Sequence, residues 1–250
     1  MSFSHQILSN ISVDCVIFGF DFEKLNILLV ERRLIDELSG QTLIQDHTLT
    51  GYHIFDDEDL DNAAYRILKN LTGLENIYLE QFYTFGKTDR VSNPKDKLWL
   101  QHLNQGFADR ILTVGYFSLI DSTKVTLNNE SRKIGWFPVD VAKEMDLAFD
   151  HKLIFIKALE TLRNKMHYEP IIAFELLPDR FTLTQLQKLY EAITGSTIDK
   201  RNFRKKIAQM PYIVPLKEKQ KGVSHKPAQL FLFSRDVFEK TKKERLGGLF

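Results

Sequence analysis

Cysteine is almost missing from this chain. Cys15 is the only one among 250 residues. That excludes an internal disulfide and any zinc cluster built on cysteines, and its place in a strand-like run marks it as a core residue. Long hydrophobic runs are missing too. The longest, at 15–20 and 230–233, fall far short of the roughly 18 residues a membrane-spanning helix requires, so no membrane partner is expected. The N-terminal stretch lacks both a basic segment and an extended apolar one, so it does not read as a signal peptide, and a cytoplasmic location is expected. There are no internal repeats and no low-complexity tracts. What remains, at 43% hydrophobic content, is enough to fill the core of one large domain or two ordinary ones.

A net charge of +1 conceals an asymmetry. Residues 1–176 carry 18 Lys and Arg against 26 Asp and Glu, whereas residues 177–250 carry 16 against 7. An acidic first part joined to a basic last part implies two domains, the second facing a polyanion.

The first part alternates short β-branched and aromatic runs with turns. Residues 13–20 and 26–32 flank a polar turn and read as a hairpin. A loop through Gln45 and His47 leads to an amphipathic helix in which Leu60, Ala63, Ala64, Ile67, Leu68 and Leu71 recur at helical spacing. Glu58 or Asp59 stands at its N-terminus, and Gly73 ends it. Strands are expected at 77–85, around 98–103, at 111–120 and at 134–138. A second helix follows over about 148–166, with Leu153, Ile156, Leu159 and Leu162 on one side. This order predicts an α+β sandwich around a mixed sheet.

Pro170 and Pro178 mark a junction, and the expected division is 1–170 and 171–250. Thr182 with Gln185 forms a capping box for a helix whose Leu186, Leu189 and Ile193 face inward. After a turn, Asp199 caps a second helix that docks through Phe203, Ile207 and Met210. Its opposite face presents Lys200, Arg201, Asn202, Arg204 and Lys205. Two strands joined by a loop with Lys221, His225 and Lys226 complete the order of a winged helix-turn-helix. Arginine and asparagine near a recognition-helix N-terminus suit guanine and adenine edges, and the lysines and wing cations suit phosphates. Double-stranded operator DNA is the expected partner.

The segment 51–74 resembles the Nudix box of diphosphate hydrolases. Glu58, Arg66 and Gly73 match that frame, and Gly51 falls in its first loop, where Tyr52 follows in place of a glycine pattern. The acidic positions do not match. Ile67, Asn70 and Leu71 stand where the family has its glutamates. Hydrolysis by such a helix depends on Mg²⁺ held by several carboxylates. The expectation is therefore a Nudix-like α/β/α sandwich without a metal site, cofactor or catalytic residues, in a chain that is not an enzyme.

With the winged helix behind it, the chain resembles the bacterial Nudix-related transcription regulators, a group that includes NrtR, responsive to ADP-ribose, and AraR, responsive to arabinose. The resemblance implies a homodimer whose Nudix-like domains bind a small effector, a sugar or an ADP-ribose-like nucleotide, while paired winged helices bind a palindromic operator as a repressor. Tyr52, His53, Asp89 and Arg90 are the expected effector contacts. The acidic domain tilts the expectation toward a neutral sugar. The alternative is a residual pyrophosphohydrolase of nucleoside diphosphate derivatives.

Overall fold

A computed structural model describes residues 6–72, 77–103, 110–122, 125, 127, 133–224 and 226–247. Gly73 and His225 lie outside the described residues, as does the side chain of Leu71. Strands β1 (Ile7–Phe20), β2 (Leu25–Ile35), β3 (Thr42–Thr48), β4 (Thr50–Phe55), β5 (Tyr78–Phe85), β6 (Leu112–Asp121) and β7 (Ile134–Pro138) form one sheet. Its main path runs β3-β2-β1-β6-β5, with β4 on β1 and β7 on β2. β1 and β6 pair in parallel, and the remaining ladders are antiparallel, so the sheet is mixed as expected.

The two-residue period of β1 divides the interior. Val16, Phe18 and Phe20 face one apolar layer, and Val13, Cys15 and Ile17 face another. The second layer is closed by helix α1 (Leu60–Thr72) through Ala63, Ala64, Ile67 and Leu68. The first is closed by α4 (His151–Tyr168) through Ile154, Phe155, Ala158, Leu159, Leu162 and Met166. Asp59 caps α1, accepting from Asn62 N–H at 2.8 Å.

Several expectations change. Residues 98–103 are not a strand: α2 (Pro94–His102) begins there with Asn93 accepting from Lys95 N–H and Pro94 in the first turn, a start that outweighs the alternating apolar residues. The loop through Gln45 and His47 is strand β3, because Asp46 points inward to Arg32 of β2. A short helix, α3 (Val139–Glu144), precedes α4. Leu153 lies on the exposed side of α4 and Ile156 is half-buried; the inward face is turned by one residue, to Ile154 and Phe155.

Beyond α4, a 3-10 helix (Pro170–Leu176) packs against the sheet and carries the first apolar layer without a break into the last part of the chain. There α5 (Leu183–Thr194) has the expected capping box and ends on Gly195 at φ 72°, a left-handed stop that suits glycine. α6 (Lys200–Ile207) follows, capped by Asp199. β8 (Ile213–Lys219) and β9 (Gln229–Phe233) pair antiparallel as the wing. A further helix, α7 (Arg235–Gly247), docks Phe238 edge-on against Tyr212.

Candidate functional site

A cavity of about 800 Å³ opens beside α1, between β4, α2 and the start of α4. α1 supplies Arg66, Ile67 and Asn70, so the positions that depart from the Nudix pattern form part of its wall. β4 supplies Gly51, Tyr52 and His53. α2 and the turn before α4 bring Trp99, Leu100, His102 and Phe149. Among the described residues no group of three His, Cys, Asp or Glu side chains is placed to hold a metal ion.

Glu58, ahead of α1, is ion-paired with Arg66. Glu58 accepts from Arg66 Nε at 2.9 Å, from Arg66 Nη2, and from Phe55 N–H at 2.8 Å. Burial raises its pKa, but the hydrogen bonds from Arg66 and Phe55 N–H outweigh that and hold the carboxyl below its usual range. Arg66 also bonds the His53 carbonyl at 3.2 Å and lies over the Phe55 ring, 4.1 Å from its centroid. The pair thus ties β4 to α1 at the cavity rim.

Tyr52, His53 and Arg90 all reach the cavity. His53 is buried, its Nδ1 bonded to the Ile11 carbonyl at 3.2 Å, and burial lowers its pKa. Asp89 is placed elsewhere. It sits exposed in a turn with its carbonyl accepting from Ser92 N–H, and it does not pair with Arg90. Arg90 turns inward instead, bonding Asp150 at 2.8 and 3.1 Å and lying 3.5 Å from Asp14.

Sequence reasoning missed the deepest polar groups. Asp14 lies on β1 within an apolar run, and His151 opens α4. A lone carboxylate inside a buried strand was the available signal for Asp14, since such a charge needs partners. His151 carried no comparable signal. A second missed group, Arg32, is 1% exposed and stacks between Trp99 and Phe149, with ring centroids at 5.5 and 5.0 Å.

The second candidate surface is α6. Phe203 and Ile207 are buried, while Lys200, Arg201, Asn202, Arg204 and Lys205 are exposed, as is Lys206. None of these cations has an ion-pair partner among the described residues, an arrangement open to phosphates and base edges. The turn before α6 is pinned from α5. Gln187 donates to the Ile198 carbonyl at 2.9 Å and Glu191 accepts from Ile198 N–H at 2.8 Å. In the wing, Lys217, Lys219, Lys221 and Lys226 are exposed, and Glu218 pairs with Arg180.

Known proteins share both halves. Residues 173–233 match the family model of the NrtR DNA-binding winged helix domain. The ADPR responsive transcriptional repressor NtrR of Acinetobacter baylyi is 31% identical over 229 residues, covering 91% of this chain and 83% of that one. The crystal structure of Shewanella oneidensis NrtR complexed with a 27mer DNA superposes with a TM-score of 0.69 at 25% identity, covering 92% of this chain and 95% of the other. A MutT/nudix family protein from Enterococcus faecalis shares the fold, with a TM-score of 0.62 at 21% identity over 90% of this chain and 88% of that one. Among the described residues no helix is long and apolar enough to cross a membrane. With a Nudix-like sheet, an exposed cationic helix behind it, and relatedness along nearly its whole length, the chain belongs to the NrtR family of Nudix-related transcription regulators.

Proposed function

We propose that this chain represses transcription by binding operator DNA through α6 and the wing, and that an ADP-ribose-like nucleotide in the cavity controls that binding. The observation that carries the reading is the conjunction, in one chain, of an unpaired cationic recognition helix with a large cavity. The relative from Acinetobacter baylyi, named as ADPR responsive, supports the choice of effector. So does the cavity itself. Its lining includes the cations Arg33, Arg66, Arg90 and Lys133 against the carboxylates Asp14 and Glu31, with Tyr52, Phe55, Trp99 and Phe149 as flat apolar walls. Arg66, Arg90 and Lys133 are already paired with Glu58, Asp150 and Glu31, so the flat aromatic walls rather than net charge carry the choice, and they suit a ligand bearing a base better than a free pentose. Functional units at 1–170 and 171–250, acting as a homodimer over two half-sites, complete the reading. Selection of fragments from the source genome at roughly 150 mM salt, where purely electrostatic binding is weak, tests it. An enriched inverted repeat is expected; binding without any sequence preference would overturn the reading.

In this reading the Nudix box no longer hydrolyses. Glu58 is engaged by Arg66, and Ile67 and Asn70 offer no carboxylate. With Mg²⁺ or Mn²⁺ and ADP-ribose, no release of AMP is expected. Turnover that Glu58→Gln abolishes would restore the hydrolase.

α4 provides the route from cavity to DNA. Its N-terminal end holds Asp150 against Arg90 and His151 against Leu49 N–H. Further along, Arg163 Nε donates to the Ile193 carbonyl at 2.7 Å, in the last turn of α5. Movement at the cavity therefore reaches the scaffold helix of the helix-turn-helix through one rigid rod. Arg163→Met is expected to leave affinity for operator and for ADP-ribose each within about threefold, while shrinking the effector's influence on operator affinity, which is typically 5–150-fold, to less than half. Fluorescence anisotropy with and without ADP-ribose reads this directly. An unchanged ratio would remove α4 from the route.

A further inference from the structure

The cavity wall carries a donor and an acceptor side by side that form no hydrogen bond among the described residues. His151 is buried, and its Nδ1 receives the Leu49 N–H at 3.0 Å, with the Thr48 hydroxyl 2.9 Å away. A backbone N–H can only donate, so Nδ1 is the acceptor and the neutral ring carries its hydrogen on Nε2. Burial favours that neutral form, lowering the pKa against the opposing pull of Asp14 and Asp150. Nε2 lies 3.5 Å from Asp14 Oδ1, too far for a normal hydrogen bond.

The other carboxylate oxygen of Asp14 is engaged. Oδ2 accepts from the Thr113 hydroxyl at 2.7 Å and faces Arg90 at 3.5 Å. Oδ1 lies directly against Gly51, where a Cβ would sit 1.9 Å from it. Gly51 is not in the left-handed region, so its backbone would accept any residue. What glycine provides there is room for the carboxylate to hold this position beside His151. A donor and an acceptor side by side match a group that both accepts and donates one hydrogen bond, as a ligand hydroxyl does. An ammonium would leave Nε2–H unsatisfied, and a carboxylate or phosphate would be repelled by Asp14.

We infer that Asp14 Oδ1 and His151 Nε2, which line the cavity together where Gly51 leaves room for the carboxylate, form a subsite for a sugar hydroxyl of the effector. The inference rests on the cavity being the effector site. It applies equally to a ribose of a nucleotide and to a free pentose, and the test separates them.

Titration calorimetry of the full chain, Gly51→Ala and Asp14→Asn would use ADP-ribose, ADP, 2′-deoxy-ADP, 3′-deoxy-ADP and arabinose. Gly51→Ala pushes the Asp14 carboxylate out of its place beside His151 without altering a charge. Asp14→Asn keeps the Thr113 bond and sets an amide N–H₂ against Nε2–H, with the melting temperature as the check on folding. In the wild type, removing the recognised hydroxyl should weaken binding about tenfold to a hundredfold, and in both variants that ratio should collapse to within about threefold. Collapse of the ADP-ribose to ADP ratio places the terminal ribose in the subsite, and collapse of an ADP to deoxy-ADP ratio places the adenosine ribose there. If arabinose alone binds and both variants weaken it, the subsite stands and the nucleotide reading falls. Uniform losses for all ligands, unchanged ratios, or no binding by any of them would overturn the subsite.

Discussion

Replacing Arg201 and Arg204 together with alanine is expected to cost operator binding about 2–6 kcal/mol, roughly thirtyfold at the least. The geometry isolates the effect to the DNA. Both side chains are exposed on α6 and form no hydrogen bond or ion pair among the described residues, whereas Phe203 and Ile207, which seat the helix, are untouched. The Asp199 cap, which accepts from Asn202 N–H at 2.8 Å, also stays. Alanine is a better helix former than arginine, so α6 should remain folded. Arg201, in the first turn, is placed for base edges, and its loss should relax sequence preference; Arg204, one turn on, suits a phosphate. Anisotropy with operator and scrambled duplexes separates the two contributions. Unchanged affinity, or equal loss on both duplexes, would remove α6 as the element that reads sequence.

The winged helix was legible because its determinants are local. Thr182 and Gln185 stand three residues apart, Gly195 directly follows α5, and Phe203 and Ile207 fall one turn apart, so each element's start, stop and inward face is written within its own span. The hairpin of β1 and β2 was legible for the same reason. β3 was not, because Gln45, Asp46 and His47 look like a loop until Arg32 is brought 2.8 Å from Asp46 by the sheet. The strand expected at 98–103 failed where a local signal competed: Asn93 and Pro94 start a helix, and the apolar residues after them belong to it. The cavity floor was least legible. His151 meets Thr48 across 103 positions, and Thr113 meets Asp14 across 99, so chemistry that is adjacent in space leaves no spacing in the sequence. The Nudix comparison gave the location of the cavity through Arg66 and Ile67, but not the groups beneath it.

The largest loss of stability is expected from Arg32→Met. The guanidinium is nearly sealed from solvent, bonds Asp46 at 2.8 Å through both Nε and Nη2, and meets Asp96 at 2.7 Å. Its Nη1 has no hydrogen-bond partner. Burial alone would raise the Asp46 carboxyl, but the hydrogen bonds from Arg32 and Lys95 override it and hold it below its usual range. Methionine fills the slot between Trp99 and Phe149 yet leaves two buried carboxylates without their shared cation, Asp46 keeping Lys95 and Asp96 keeping only the Phe149 N–H. Removing one partner from a buried pair of this kind costs about 3–5 kcal/mol, most of it the exposed need of the charges left behind. Adding Asp46→Asn and Asp96→Asn should therefore recover much of the loss, because the carboxylates are then neutral. The pH dependence follows the same cause. A depressed carboxyl contributes stability that is present above its unfolded value, near 3.9, and is lost as pH falls through the folded value, so the wild type should lose this contribution only below about pH 4. With Arg32 gone the Asp46 carboxyl rises, and Arg32→Met should instead be most impaired near neutrality and converge on the wild type in acid. Urea unfolding of the single and triple variants between about pH 3 and 7 measures both effects. A single variant within about 1 kcal/mol of the wild type, or a triple variant no more stable than the single, would show that the aromatic slot rather than the ion cluster holds α2 against the cavity.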